Sequence, residues 1–154
     1  MTVVALWPLS LALLAALAET KPAWPGVFPD LGMYSVSYDK PVVGKGEEPT
    51  AYRQRATYTW TGGRIEEITV TLARDPAFKT KYSEKALKKD KAAPKSLKIN
   101  KKQAWRWVRR LVVPLDDDKA IIIEQKGEGA DLKDVAGKFD FAKVAKALAR
   151  PPKR

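Results

Sequence analysis

The sequence predicts an α+β fold, in which helices pack on a twisted antiparallel sheet of about five to seven strands. Two observations support this class. Most of residues 31–126 cluster or alternate β-branched and aromatic residues, as strands do. Helical spacing of apolar residues is confined to one mid-chain segment and to the C-terminus. Strands grouped apart from helices are typical of antiparallel sheets, because parallel strands need long crossover connections.

The most hydrophobic stretch after the N-terminus, residues 103–126, predicts the central hairpin of this sheet. Two apolar runs, 111–113 and 121–123, flank the polar turn at 116–119. Neither run alternates with polar residues, which indicates strands covered on both faces, or on one face and an edge. We therefore expect Ile122→Asp to destabilise the fold severely, because it would bury an unpaired carboxylate.

Three further strands are predicted before the mid-chain helix, at residues 33–40, 51–60 and 65–74. Each alternates between apolar or aromatic and polar residues, the pattern of a half-buried strand. Neighbouring Glu66 and Glu67 point to opposite faces of such a strand. We expect both carboxylates to be solvated, so they do not form an acid–base pair.

One helix is predicted in mid-chain, with Asp75 as N-cap and Pro76 at its first position. Phe78, Tyr82 and Ala86 would form its apolar stripe, since they recur at a spacing of four.

A helix pair is predicted at the C-terminus, where Asp131 and Asp140 each precede apolar residues at helical spacing. The two patterns repeat after nine residues, which is not a whole number of 3.6-residue turns. Two short helices, or one helix bent near residues 137–140, satisfy the pattern.

The N-terminus predicts a secretory signal peptide at residues 1–18, which contain no charged side chain. The apolar run ends in a small-x-small pattern, so we expect cleavage between Ala18 and Glu19 and export to the periplasm or the extracellular space. An uncleaved membrane anchor is the alternative, although the run is shorter than the ~20 residues of a spanning helix.

The remaining chain divides by composition into three parts. Residues 19–30 are rich in proline and predict an extended lead-in or linker. Residues 31–150 predict a single α+β domain, and residues 151–154 a frayed tail.

The chain has no cysteine and no histidine, which excludes disulfides, thiolate nucleophiles and imidazole bases or ligands. Asp116, Asp117 and Asp118 could hold a hard cation, but the spacing of an EF-hand is absent. We interpret them as a charged turn that keeps two apolar strands soluble. We therefore expect no cofactor, no bound metal and no catalytic residue.

The net charge of +11 favours an anionic partner. Twenty lysines against nine arginines indicate diffuse attraction more than a shaped site. Residues 79–102 contain ten lysines and two acids, and a solvated face is the alternative to binding there. An anionic envelope polymer or a membrane surface fits an exported protein better than nucleic acid does. The candidate anion-binding residues are Lys81, Lys85, Lys88, Lys89, Lys101 and Lys102.

Trp105 and Trp107 lie two apart in a predicted strand with Arg106 between them, so they share one face. They form a candidate stacking surface for bases or sugar rings, and core packing is the alternative.

The sequence as a whole predicts a small, basic, exported protein that acts as a non-catalytic accessory or interaction domain. One alternative is a binding module for anionic envelope polymers or a membrane surface. A second is a hydrolase that uses paired carboxylates alone. The ligand and the oligomeric state are left open.

Overall fold

A computed structural model of the chain describes residues 21–44, 51–63, 66–127 and 129–152. The predicted signal peptide and the last two residues of the predicted tail lie outside this described part.

The described part contains eight strands and four helices, which confirms the predicted α+β class. In chain order, the strands are β1 (Tyr34–Tyr38), β2 (Val42–Val43), β3 (Tyr52–Trp60), β4 (Glu67–Arg74), β5 (Lys95–Ile99), β6 (Lys102–Arg106), β7 (Arg110–Pro114) and β8 (Lys119–Lys126). The helices are α1 (Phe78–Lys81), α2 (Glu84–Lys88), α3 (Leu132–Gly137) and α4 (Phe141–Leu148).

The described strands form one sheet in the order β1-β3-β4-β8-β7-β6-β5, and the short β2 also pairs with β3. Each pairing along this order is antiparallel. The sheet therefore consists of two groups of consecutive strands, β1 to β4 and β5 to β8, which meet where β4 pairs with β8. Leu72 lies opposite Ile121 at this junction.

The number of strands in the described part exceeds the predicted five to seven for two local reasons. Pro41 lacks an N–H, and the register with β3 changes by one residue between the Tyr38–Ala56 pair and the Val42–Arg53 pair, so β1 and β2 are separate strands. The strand predicted through Trp105 and Trp107 ends at Arg106. A turn follows, in which the Trp107 N–H donates to the Arg110 carbonyl at 2.8 Å, and the chain returns as β7.

The predicted central hairpin is confirmed as β7 and β8, which pair in the interior of the sheet. Its side chains face two different cores, which explains why neither run alternates with polar residues. Leu111, Val113, Ile121 and Ile123 pack in the main core, while Val112, Ala120 and Ile122 face a smaller second core.

The main core covers one side of the sheet, which we call the closed face. The N-terminal segment, residues 21–32, lies over this face together with α3 and α4. The buried side chains from these covering elements are Trp24, Val27, Phe28, Leu132, Val135, Ala136, Phe141, Val144 and Leu148. Their burial removes the apolar side of every long strand from water, which is the dominant stabilising effect in such a sheet.

The C-terminal helices are two separate helices, as one of the two predicted arrangements requires. The Asp131 carboxylate accepts the Lys133 N–H at 2.9 Å, and the Asp140 carboxylate accepts the Lys143 N–H at 3.1 Å. These bonds satisfy backbone donors that the first turn of each helix leaves without partners.

The described residues cover the opposite side of the sheet only in part, and we call it the open face. Helices α1 and α2 pack over β6, β7 and β8 there through the second core, which includes Phe78, Tyr82, Leu87, Trp105 and Val112. The outward side chains of β3, such as Arg53 and Arg55, remain exposed.

The prediction of a single mid-chain helix was wrong. Ser83 has an extended backbone and its hydroxyl accepts the Ala86 N–H at 3.2 Å, so it caps a second helix instead of continuing the first. This break rotates α2, and Leu87 becomes its buried residue in place of Ala86.

Two polar side chains are buried in the closed face. Gln54 is 1% exposed, and its amide accepts the Ala23 N–H and donates to the carbonyls of Lys21 and Asp39. Glu66 is 3% exposed and accepts the Tyr34 hydroxyl at 2.6 Å, so the expectation that Glu66 is solvated was wrong. Its position continues the inward alternation of Ile68, which overrides the polarity of one residue.

Candidate anion-binding groove

A groove with a volume of about 550 Å³ lies on the open face, between the β1–β2 connection and α1. This volume is within the range of ligand sites in proteins. We call it the open-face groove. Its lining residues in the described part are Asp39, Lys40, Val42, Gly44, Ala51, Tyr52, Arg53, Arg55, Thr71, Ala73, Arg74, Asp75, Phe78, Lys81, Arg110, Ile122 and Glu124.

The register of the sheet positions the cationic side chains of this groove. Arg55 lies opposite Thr71 on β4, and Thr71 lies opposite Ile122 on β8. The floor of the groove in this row consists of the Thr71 hydroxyl and the apolar side chain of Ile122, beside the Arg55 guanidinium. Arg110 on β7 lies opposite Glu124 and borders the groove from the side of α1.

The described lining has a positive balance, with six lysines and arginines against three acids. All three acids have a partner within the protein. Asp39 pairs with Arg55 at 2.7 Å, Asp75 accepts the Ala77 N–H at 2.9 Å, and Glu124 lies 4.0 Å from Arg110. Such an excess of cations at a recess attracts anions, and the low-dielectric walls concentrate its field.

Arg110 is held by two aromatic side chains beside the groove. Its guanidinium donates to the Tyr82 hydroxyl at 3.0 Å and lies 5.4 Å from the centre of the Trp107 ring. Within the described residues its Nε has no hydrogen-bond partner, since Glu124 Oε1 is 4.0 Å away. This Nε is buried from solvent, so it is a donor without a partner, and its desolvation costs free energy.

The Tyr82 hydroxyl that accepts the hydrogen bond from Arg110 has a shifted pKa. Burial raises the pKa of Tyr82, and the neighbouring Arg110 offsets part of this effect. The phenol therefore stays protonated at neutral pH and adds no negative charge beside the groove.

Arg74, at the end of the groove, has a structural role. Its Nε donates to Asp118 at 2.7 Å, and its guanidinium also bonds the Tyr52 hydroxyl and the Ala149 carbonyl. These contacts join β4, the β7–β8 turn and the end of α4. Arg74 is therefore less available to a ligand than Arg53 or Arg55.

The six candidate lysines are exposed, but the structure divides them between two places. Lys81, Lys85, Lys88 and Lys89 lie on or beside α1 and α2, whereas Lys101 and Lys102 lie at the β5–β6 turn. Lys81 lines the open-face groove and lies 5.5 Å from the Tyr82 ring centre. Lys88 pairs with Glu84 at 2.8 Å, and Lys102 donates to the Leu115 carbonyl at 3.0 Å.

The two candidate stacking residues have different environments. Trp105 is buried in the second core among Phe78, Tyr82 and Val112. Trp107 is half-buried beside it, and its Nε1 donates to Asp90 at 3.2 Å. Arg110 lies over the Trp107 ring, so a planar ligand would have to use the remaining ring surface. Ligand stacking on Trp107 stays a prediction.

The three aspartates of the β7–β8 turn face cations of the protein. Asp118 pairs with Arg74 and Lys119, Asp116 pairs with Lys119, and Asp117 lies 3.9 Å from Lys79. In the part of the chain that the structure describes, no group of three or more acids is arranged to hold a metal ion. None of the described helices is long and apolar enough to cross a membrane.

The open-face groove was not predicted from the sequence, although one signal for it was present. The alternation of residues 51–60 places Arg53 and Arg55 on the polar face of their strand. Arg110 joins them only through the pairing of β4 with β8, which links segments that are distant in the sequence.

Comparison with protein-family models, with curated proteins and with solved structures finds no match to this chain.

Proposed function

We propose that this protein is an exported, non-catalytic binding module that holds a segment of an anionic envelope polymer in the open-face groove. The observation that supports this most is the positive balance of the groove lining, with Arg53, Arg55 and Arg110 around a recess of ligand size. Export rests on the signal-peptide pattern of residues 1–18.

Arginine favours a polymer of phosphates or carboxylates, because a guanidinium donates two parallel hydrogen bonds to either group. The groove is recessed between α1 and the β1–β2 connection, so a chain-like ligand fits it better than the plane of a bilayer. The exposed lysines of α1 and α2 would add long-range attraction that brings the polymer to the groove.

The test compares three double variants in binding to linear polyphosphate across a salt series. Arg53→Gln with Arg55→Gln removes two groove charges. Lys133→Gln with Lys146→Gln removes two exposed charges from α3 and α4 and is the matched control. We expect the groove variant to bind polyphosphate at least about tenfold more weakly than the wild type, with a salt slope reduced by about 2. The control variant should change binding little.

A third variant, Lys85→Gln with Lys89→Gln, separates the groove from the lysines of α2. Equal weakening by all three variants would mean that net charge alone attracts the polymer, and the groove would have no special role. Absence of polyphosphate binding by the wild type at low salt would also contradict the proposal.

A further inference from the structure

One edge of the sheet has an unusual combination of features. Four large hydrophobic residues are exposed in the described part, and three of them lie along this edge: Met33 (63%), Val36 (41%) and Val42 (51%). Strand β1 ends the order of the described strands. Its sequence, YSVSY, contains neither a charge nor a proline. Sheet edges without such protection are the ones that pair with other strands.

The backbone of β1 presents Val36 to that edge. The Asp39 N–H donates to the Arg55 carbonyl at 2.9 Å, so Asp39 belongs to a hydrogen-bonded pair with β3. Antiparallel pairing alternates, so Ser37 and Ser35 also direct their backbone groups towards β3. The N–H and C=O of Val36 therefore point away from β3.

We propose that β1 pairs antiparallel with β1 of a second copy of this chain, around a two-fold axis at Val36. The sequence YSVSY is the same in both directions. In this register Val36 lies opposite Val36 of the second copy, and each serine of β1 lies opposite a serine. The two Val36 residues then form a hydrogen-bonded pair that exchanges two N–H···O=C bonds. A strand complementary to itself is what a two-fold interface requires.

The charge distribution permits this contact despite a net charge of +11. Strand β5 and its lysines lie six strand spacings from β1 in the order of the sheet, which is roughly 29 Å at ~4.8 Å per spacing. The screening length at physiological salt is only about 8 Å. Beside the edge, Asp39 and Arg55 form an ion pair that is neutral as a unit.

The geometry has a consequence for binding. A two-fold axis between antiparallel edge strands is perpendicular to the sheet, so the open faces of both copies lie on the same side. The dimer would present two grooves to one polymer, which raises avidity without new contacts. The pairing itself does not depend on the proposed function, because it is tested without any ligand.

The first test uses the absence of cysteine from the chain. In a hydrogen-bonded antiparallel pair the Cα atoms are about 5.5 Å apart, which suits a disulfide. Protein with Val36→Cys should therefore cross-link into a dimer under mild oxidation at micromolar concentration. Protein with Val108→Cys, at the exposed valine outside this edge, is the matched control. Equal cross-linking of both variants, or a monomeric Val36→Cys protein, would overturn the proposal.

The second test measures association by sedimentation equilibrium on protein purified from its native host. The wild type should reach twice the monomer mass as its concentration rises. Val36→Lys should weaken dimerisation by about tenfold or more, because it places like charges directly opposite each other. Val108→Lys should leave dimerisation unchanged. A wild type that stays monomeric into the millimolar range, or a Val36→Lys protein that dimerises as well as the wild type, would refute β1 pairing.

Discussion

Ile122 and Ile123 are neighbours on β8 and have the same side chain, yet they have different environments. Ile123 faces the closed face and is fully buried, whereas Ile122 faces the open face and borders the groove. The difference shows that burial here is decided by what covers each face, since local sequence and strand position are nearly identical.

Polar side chains also differ in burial and in their partners between the two faces. On the closed face, Gln54 is buried and all three of its observed hydrogen bonds go to backbone groups. On the open face, the adjacent Arg55 is exposed and pairs only with Asp39 among the described residues. A polar residue on the closed face therefore joins elements, whereas one on the open face is available to a ligand.

The largest effect should come from a charge placed on each face in turn. Ile123→Asp should cost more than about 4 kcal/mol or prevent folding, because the carboxylate would have no partner in the main core. Ile122→Asp should cost roughly 1–2 kcal/mol, since its carboxylate can reach water and Arg110. Urea denaturation of both variants measures this difference. Equal losses would mean that the open face is covered in solution. The severe destabilisation that the sequence predicted for Ile122→Asp is therefore expected for Ile123→Asp instead.

A smaller effect should come from Gln54→Leu. The substitution makes the side chain apolar at a similar size, and it leaves the Ala23 N–H and the Lys21 and Asp39 carbonyls without their partner. We expect a loss of about 2 kcal/mol or more in the free energy of unfolding. Arg55→Leu, on the exposed side of the same strand, is the control and should change it by less than about 1 kcal/mol. A neutral Gln54→Leu would show that the N-terminal segment is not held by this side chain.

The smallest effect should come from Asp118, which joins the β7–β8 turn to Arg74, and this effect should depend on pH. Burial acts to raise the pKa of Asp118, but hydrogen bonds from Arg74 and Lys119 outweigh it and hold the pKa below its usual value. A lowered pKa stabilises the fold above the unfolded value near ~4, and this stabilisation is lost as the pH falls through the folded pKa.

Asp118→Asn should therefore lower the thermal midpoint at pH 7 by the equivalent of about 1 kcal/mol. The deficit should shrink as the pH falls below about 4, because the wild-type carboxylate is then protonated too. Thermal unfolding of both proteins from pH 7 to pH 2 measures it. If the difference in thermal midpoint stayed constant with pH, the loss of stability would come from altered packing instead of the lost charge.

Several features of the fold were predictable because their causes are local. The caps at Asp131 and Asp140 depend on backbone groups two or three residues away, and both helices begin where the sequence predicts. The hairpin of β7 and β8 follows from two β-branched runs around a polar turn. Ser83 provided an equally local signal for α2, and the helical stripe through Tyr82 and Ala86 concealed it.

Other features could not be predicted because they depend on contacts between distant segments. Alternation along residues 65–74 directs Glu66 to the same face as Ile68, but only the cover of the closed face makes that position buried. The cations of the open-face groove also divide into those that local sequence places and those that distant contacts place. Alternation along one strand is enough to place Arg53 and Arg55 on a common face.

The sequence by itself determined the α+β class, the caps at Asp131 and Asp140 and the β7–β8 hairpin, because these follow from backbone geometry and hydrogen bonds within a few residues. Only the tertiary structure decided which face of the sheet stays open and which residues meet there. Arg55 and Arg110 are far apart in the chain, and they line one groove because β4 pairs with β8. That pairing arises from burial of apolar residues from the whole sheet, which is a property of the assembled fold.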